Sequence, residues 1–142
     1  MKAHLIEYVD VLNKEEKRKL RSHIKLILKC LNLLNCKELC ITFVDDKEMR
    51  KLNLTYRGIK RTTDVLSFSQ DGPDTQSLGD IVISVDTAKR HARFYKISLQ
   101  REIVKLIIHG ILHILGYDHK KKHDASKMRK KEKELLQLVN FS

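Results

Sequence analysis

The chain has 142 residues, 42% hydrophobic and 33% charged with a single proline, which is one domain (1–142) large enough to bury a core without staples and excludes a disordered or low-complexity protein. Its formal net charge is +11, from 29 basic against 18 acidic residues, an excess that calls for a polyanionic partner, nucleic acid or an acidic membrane surface. No apolar run reaches the length of a membrane span, and the N-terminal Met1-Lys-Ala-His-Leu-Ile-Glu7 regains charge too early for a signal peptide, so no membrane association and a cytoplasmic location are expected.

In chain order, Leu5 to Val9 reads as a first strand, and Asn13 is placed to cap a helix from Lys14 to about Leu31 with the apolar stripe Leu20, Ile24, Ile27, Leu28 and Leu31. Cys30, Cys36 and Cys40 follow a spacing that matches no common zinc pattern, and buried free thiols are expected of them. Leu39 to Val44 is a second strand, after which Asp45 or Asp46 caps a helix to about Leu54. Thr63 to Phe68 and Leu78 to Ser84 are two more strands, separated by a polar loop with turn residues, Gln70 to Ser77. Val85 to Tyr95, a histidine-bearing segment up to Leu115, and Asp124 to Val139 are helical. About four strands mixed with about five helices predict a single mixed sheet with helices packed on it, in the α/β or α+β class.

The basic residues fall in four clusters, Lys14 to Lys25, Arg50 to Arg61, Lys89 to Lys96 and Lys120 to Lys133. Each could be a solvated helix face, and Glu15, Glu16, Glu132 and Glu134 offer intrahelical partners. Two clusters adjoin candidate chemistry: one follows His119 directly and the other contains Arg57, which favours RNA as the partner.

The strongest motif is Val104-Lys-Leu-Ile-Ile-His-Gly-Ile-Leu-His-Ile-Leu-Gly-Tyr-Asp-His119. From Ile103 to Leu115 almost every residue is aliphatic, which predicts a helix inside a core. Glu102, Lys105, His109 and His113 form its one polar line. His109 and His113, four apart, put two imidazoles on one face, and a turn at Gly116 would return His119 towards them. Any one of these histidines could be a core residue bonded to a carbonyl. Together, His-x3-His-x2-Gly-x2-His is the spacing of a metal site with an open coordination position, which marks catalysis. Imidazole ligands suit zinc, copper, nickel or iron alike. The spacing matches the zinc motif of metzincin peptidases except that Gly110 stands where those enzymes place their glutamate base. Peptide hydrolysis by their mechanism is therefore disfavoured.

Leu52-Asn-Leu-Thr-Tyr-Arg57, Thr63-Asp-Val-Leu-Ser-Phe68, Leu78-Gly-Asp-Ile-Val-Ile-Ser84 and His109-Gly-Ile-Leu-His-Ile-Leu-Gly-Tyr-Asp-His119 occur in this order in the YbeY family of bacterial endoribonucleases, also described as ribosomal RNA maturation factors. The chain resembles that family over about its C-terminal two thirds, and Met128 four residues before Glu132 looks like its tail. The resemblance implies a fold related to the zinc-peptidase core, with one Zn2+ per chain held by His109, His113 and His119. It also implies cleavage of single-stranded RNA, maturation of the 3′ end of 16S ribosomal RNA and a part in ribosome quality control. Arg57 matches the family's functionally important arginine. The chain departs from the family at Thr62 and Ser69, where many members carry proline; this changes loop stiffness but removes no chemical group.

The expected mechanism is metal-assisted phosphodiester cleavage in which the ion polarises phosphate and Arg57 stabilises charge gathering on phosphorus. Arg57 and His109 are the candidate catalytic residues, and Arg57, Lys60, Arg61, Lys120 and Lys121 the candidate RNA contacts. Asp118 could orient a ligand ring or cap the turn, Lys105 could meet a phosphate or pair with Glu102, and His123 reads as exposed. The expected partners are ribosomal RNA and the small ribosomal subunit, with a ribosomal protein or an assembly GTPase as company by analogy. The competing functions are a non-catalytic RNA-binding assembly factor and a metal-dependent peptidase or amidase.

Overall fold

A computed structural model of the chain describes residues 2–33, 38–70, 77–118 and 120–139. Within them the elements are β1 (Lys2–Glu7), α1 (Lys14–Cys30), β2 (Glu38–Val44), α2 (Asp46–Arg57), β3 (Val65–Ser69), β4 (Ser77–Ser84), α3 (Val85–Tyr95), α4 (Leu99–Ile114) and α5 (Lys122–Leu138). The strands form one four-stranded sheet in the order β1-β2-β4-β3. β1 pairs parallel with β2 and β2 with β4, while β3 runs antiparallel to β4 at the sheet's edge. This is the mixed α/β architecture that the alternating pattern predicts, and no helix among the described residues is long and apolar enough to cross a membrane.

The helices start where their capping residues stand. Asn13 accepts from Glu16 N at 2.8 Å while the Glu16 carboxylate accepts from Asn13 N at 2.9 Å, a reciprocal capping box. Of the two aspartates before α2, Asp45 is the cap, accepting from Glu48 N at 2.8 Å. Asp46 is left to a different task. Its Oδ1 accepts from Thr62 Oγ1 at 3.1 Å and from Ser84 Oγ and Thr87 Oγ1 at 2.6 Å each, and its Oδ2 lies 2.8 Å from Arg90. One carboxylate thereby joins α2, the approach to β3, the end of β4 and α3. Burial alone would raise its pKa, but the hydroxyls of Ser84 and Thr87, the Arg90 guanidinium and Thr62 hold it well below the usual carboxylate range.

Alternation along the strands sends side chains to two cores. Leu39, Ile41, Phe43, Ile81 and Ile83 join the main core with α1, α4 and α5, while Val44, Leu66 and Val82 face Met49 of α2. The sheet is therefore covered on both faces. The element limits shift slightly from the sequence pattern: β1 spans Lys2–Glu7 where the pattern gives Leu5 to Val9, and β3 begins at Val65, whose N–H is taken by the Asp64 carboxylate at 2.8 Å. α5 begins at Lys122, two residues ahead of Asp124. The expectation of buried thiols fails at Cys30, which is exposed, because it falls outside the Leu20, Ile24, Ile27 and Leu28 stripe in the last turn of α1. Cys40 is partly buried. Cys36 and most of the Gln70 to Ser77 loop lie outside the described residues.

Gly79 sits at φ 149° in β4, and a Cβ there would lie 2.2 Å from the Phe68 carbonyl oxygen of β3. Gly79→Ala should therefore lower unfolding stability by ~3 kcal/mol or more in urea titration, whereas Gly58→Ala, at φ 69° with open space around it, costs only about 1 kcal/mol. Replacing Asp46 by Ala strands three hydroxyls and a guanidinium and should cost ~2 kcal/mol or more. Because the folded protein depresses the Asp46 pKa, its stabilisation is complete above the unfolded carboxylate value of about 4 and is lost as pH falls towards the folded value. Asp46→Asn should accordingly flatten the acid limb of the stability–pH curve.

Candidate active site

The site is built on α4. Its residues Ile103, Val104, Leu106, Ile107, Ile108, Ile111 and Leu112 are all buried, as a helix aliphatic on nearly every side requires. Gly110 is the point of closest approach to the sheet: a Cβ there would stand 3.0 Å from Ile81 Cδ1 and 3.1 Å from its Cγ1. One residue before and three after Gly110, His109 and His113 emerge together on the flank of the helix. The helix ends in a Schellman turn, with Gly116 N donating to His113 O at 3.0 Å and Tyr117 N to Leu112 O at 2.9 Å. Gly116 takes φ 96°, the turn conformation expected of it. His119 lies outside the described residues.

The two imidazoles converge, with His109 Nε2 and His113 Nε2 3.0 Å apart. On its other side His109 Nδ1 meets Glu132 Oε1 at 3.2 Å. An ionised carboxylate can only accept, so Nδ1 carries the proton and the Nε2 lone pair is turned towards His113. Glu132 reaches this position because α5 anchors through Met128 and Leu135, one turn to either side and both buried. The sequence carries only the Met128–Glu132 spacing as a signal for this link and does not indicate which residue Glu132 meets.

Arg57 arrives from the opposite face of the sheet. It is the last residue of α2, which Gly58 terminates at φ 69° with its N–H on Leu54 O at 3.0 Å. Buried Asn53 donates Nδ2 to Arg61 O at 2.8 Å and so ties the following loop back to the helix. Between α2 and α4 runs the edge strand β3, and the three elements enclose a cleft of about 590 Å³ lined by Tyr56, Arg57, residues 63–68, His109, His113, Asp118 and Lys120. A smaller, mostly apolar cavity of about 230 Å³ between α1 and α4 includes none of Arg57, His109 and His113.

The cleft therefore unites Arg57, His109, His113 and Lys120. Lys60, Arg61 and Lys121 are exposed but do not line it, and His123 is exposed in the first turn of α5. Lys105 has turned to other partners, 3.8 Å from Glu102 and 4.9 Å from the centre of the Tyr95 ring. Glu102 itself is buried, and burial raises its pKa against the pull of Lys105 and His91. Asp118 accepts from Lys120 N at 3.0 Å, the turn-capping role. The described imidazoles fit a metal ion: their 3.0 Å nitrogen separation approaches the ~3.3 Å between two nitrogens on a tetrahedral zinc ion, and a carboxylate behind a histidine is the usual support for such a ligand.

A cleft that sets paired imidazoles beside a guanidinium is equipped to hydrolyse an anionic ester. The family model described as Endoribonuclease YbeY matches residues 4–140. The chain belongs to the endoribonuclease YbeY family, whose members cut RNA internally. The Endoribonuclease YbeY of Aquifex aeolicus is 44% identical over 138 residues, covering 92% of this chain and 87% of that one. That of Thermoanaerobacter sp. strain X514 is 37% identical over 148 residues, 94% of this chain and 92% of the relative. The solution structure of TM1509 from Thermotoga maritima superposes with a TM-score of 0.69 at 25% identity, covering 97% of this chain and 89% of that one.

The packing at Gly110 generates a test. Gly110→Ala should destabilise the protein by ~1–3 kcal/mol through overpacking against Ile81, and Gly110→Glu, which restores the peptidase glutamate, should fail to give a folded protein by circular dichroism and thermal melting.

Proposed function

We propose that this endoribonuclease acts in the cytoplasm on ribosomal RNA, as a zinc-dependent, single-strand-specific enzyme that matures the 3′ end of 16S rRNA and serves ribosome quality control. The observation that carries this reading is the cleft that Arg57 from α2 lines together with His109 and His113 from α4. Family membership supports the substrate class.

His109, His113 and His119 would hold one zinc ion per chain. When bound, zinc supplies Lewis acidity that polarises a phosphoryl oxygen and acidifies water. The remaining work falls to the chain. Arg57 offers a planar pair of N–H donors to two phosphate oxygens and stabilises charge as it builds on phosphorus. Lys120, at the cleft's rim, adds a second cation for a neighbouring phosphate. Glu132 fixes the proton on His109 Nδ1 and thereby the orientation of that ring. No carboxylate follows His109 to act as base, and Gly110 has no room for one, which argues against a peptidase. Ribosomal RNA in the small subunit is the partner this chemistry suits, and a ribosomal protein or assembly GTPase would meet the enzyme there.

The test is cleavage of a small-subunit rRNA fragment carrying an unpaired 3′ extension. Arg57→Ala should reduce the cleavage rate by ~10²–10³-fold relative to wild type purified identically. Equal cutting by both proteins would remove Arg57 from the reaction, and no cutting by either would support an assembly factor that binds RNA without cleaving it. For the ion, Glu132→Gln should weaken zinc affinity by ~10–100-fold in a chelator competition, with little change in melting temperature of the zinc-free protein.

A further inference from the structure

Tyr56 occupies an anomalous place. Met49, Asn53 and Tyr56 lie at helical spacing on the inward stripe of α2, and the first two are buried at 0% and 2% exposure. Tyr56 is 63% exposed, because the last turn of α2 overhangs the cleft rather than the core. Its ring meets Phe68 of β3 edge to face, with centroids 5.1 Å apart and planes at 62°. Phe68 in turn is half-buried against Val44, Met49, Leu66 and Val82. The ring is thus backed from one side by a core-anchored aromatic while much of its apolar surface stays in water.

We propose that Tyr56, backed by Phe68, is a stacking platform for one base of the RNA substrate, at the nucleotide beside the phosphate gripped by Arg57. This subsite rests on the RNA reading given above. Three observations converge on a nucleic-acid base as the occupant. Tyr56 adjoins Arg57 in the chain and both line one cleft with the paired histidines, so a base on the ring and a phosphate on the guanidinium belong to neighbouring positions of one strand. The mouth of the cleft is cationic, with Arg57 and Lys120 lining it and Lys60 and Arg61 exposed on the loop after α2; Asp64 and Asp118 are the cleft's carboxylates. Asp64 has His91 Nδ1 at 3.8 Å and Asp118 is engaged with Lys120 N. An aromatic face among cations is the surface on which single-stranded RNA stacks.

The platform also accounts for strand selectivity in physical terms. In a duplex both faces of every base are covered by neighbouring pairs, and the ring can only be reached by a base that has left its stack. A single strand presents such a base at little cost. The Tyr56 hydroxyl is not needed for this; the ring face is.

The experiment uses the full chain, zinc-loaded, and the 3′-extended single-stranded rRNA fragment with one abasic ribonucleotide moved through successive positions of the extension. Binding is read by fluorescence anisotropy and cleavage in parallel. In the wild type one abasic position should weaken binding by about 10–100-fold relative to its neighbours. Tyr56→Leu, which keeps an apolar contact for Phe68 but no aromatic face, should flatten that profile, and Tyr56→Phe should restore it. Each profile is a ratio within one protein, so a change in folded fraction does not alter its shape. A flat wild-type profile, or a dip that survives in Tyr56→Leu, overturns the platform and leaves Tyr56 as a packing residue on Phe68. A wild type that neither binds nor cuts the intact fragment overturns the RNA reading itself, and the subsite with it.

Discussion

Everything in this fold answers to α4. A helix that is aliphatic around almost its whole circumference cannot rest on a surface, so the sheet and α1, α3 and α5 must close around it. Its rotation is then set by the one position without a side chain, Gly110, which presses on Ile81 of β4. Close packing of this kind leaves little tolerance, since interiors are filled to crystal-like density. With the helix pinned, His109 and His113 have a single way out, along the flank that borders β3.

The other half of the cleft depends on a polar constraint. Arg57 ends α2 on the opposite face of the sheet, and the segment after it must be held if the guanidinium is to face the histidines. Asp46 at the start of α2 binds Thr62, Ser84, Thr87 and Arg90 at once, and Asn53 holds Arg61 O near its end. A depressed carboxyl pKa at Asp46 is the electrostatic signature of that convergence. The arginine is positioned by hydrogen bonds and the histidines by apolar packing, and the edge strand β3 lies between them.

The same geometry bears on the spacing shared with the metzincin zinc motif. The spacing of the histidines is shared, but the position after His109 is turned into the sheet at Ile81 rather than into the cleft. The absence of a glutamate at this position is thus also a packing requirement of this helix. What the cleft sets beside the histidines is a guanidinium and a lysine, groups suited to binding phosphate.

Local signals in the sequence determined a large part of this protein. Capping by Asn13, the α1 stripe, the span of α3 and the Gly116 turn all follow from interactions within a few residues, and each is present as expected. The pairing of His109 with His113 is equally local, being one turn of one helix. Arg57 was singled out by its motif, but no periodicity states that α2 and α4 meet across an edge strand. The exposure of Cys30 is not legible in the same way, because apolar composition nearby does not reveal which side of a helix faces the core. Glu132 and Tyr56 were legible only as a spacing and as a member of a motif. The tertiary structure alone set Glu132 on His109 Nδ1 and Tyr56 over the cleft. The physical reason is range: hydrogen bonds and side-chain periodicity within a helix are written in neighbouring residues, whereas contacts between elements depend on how the cores on the two faces of the sheet close together.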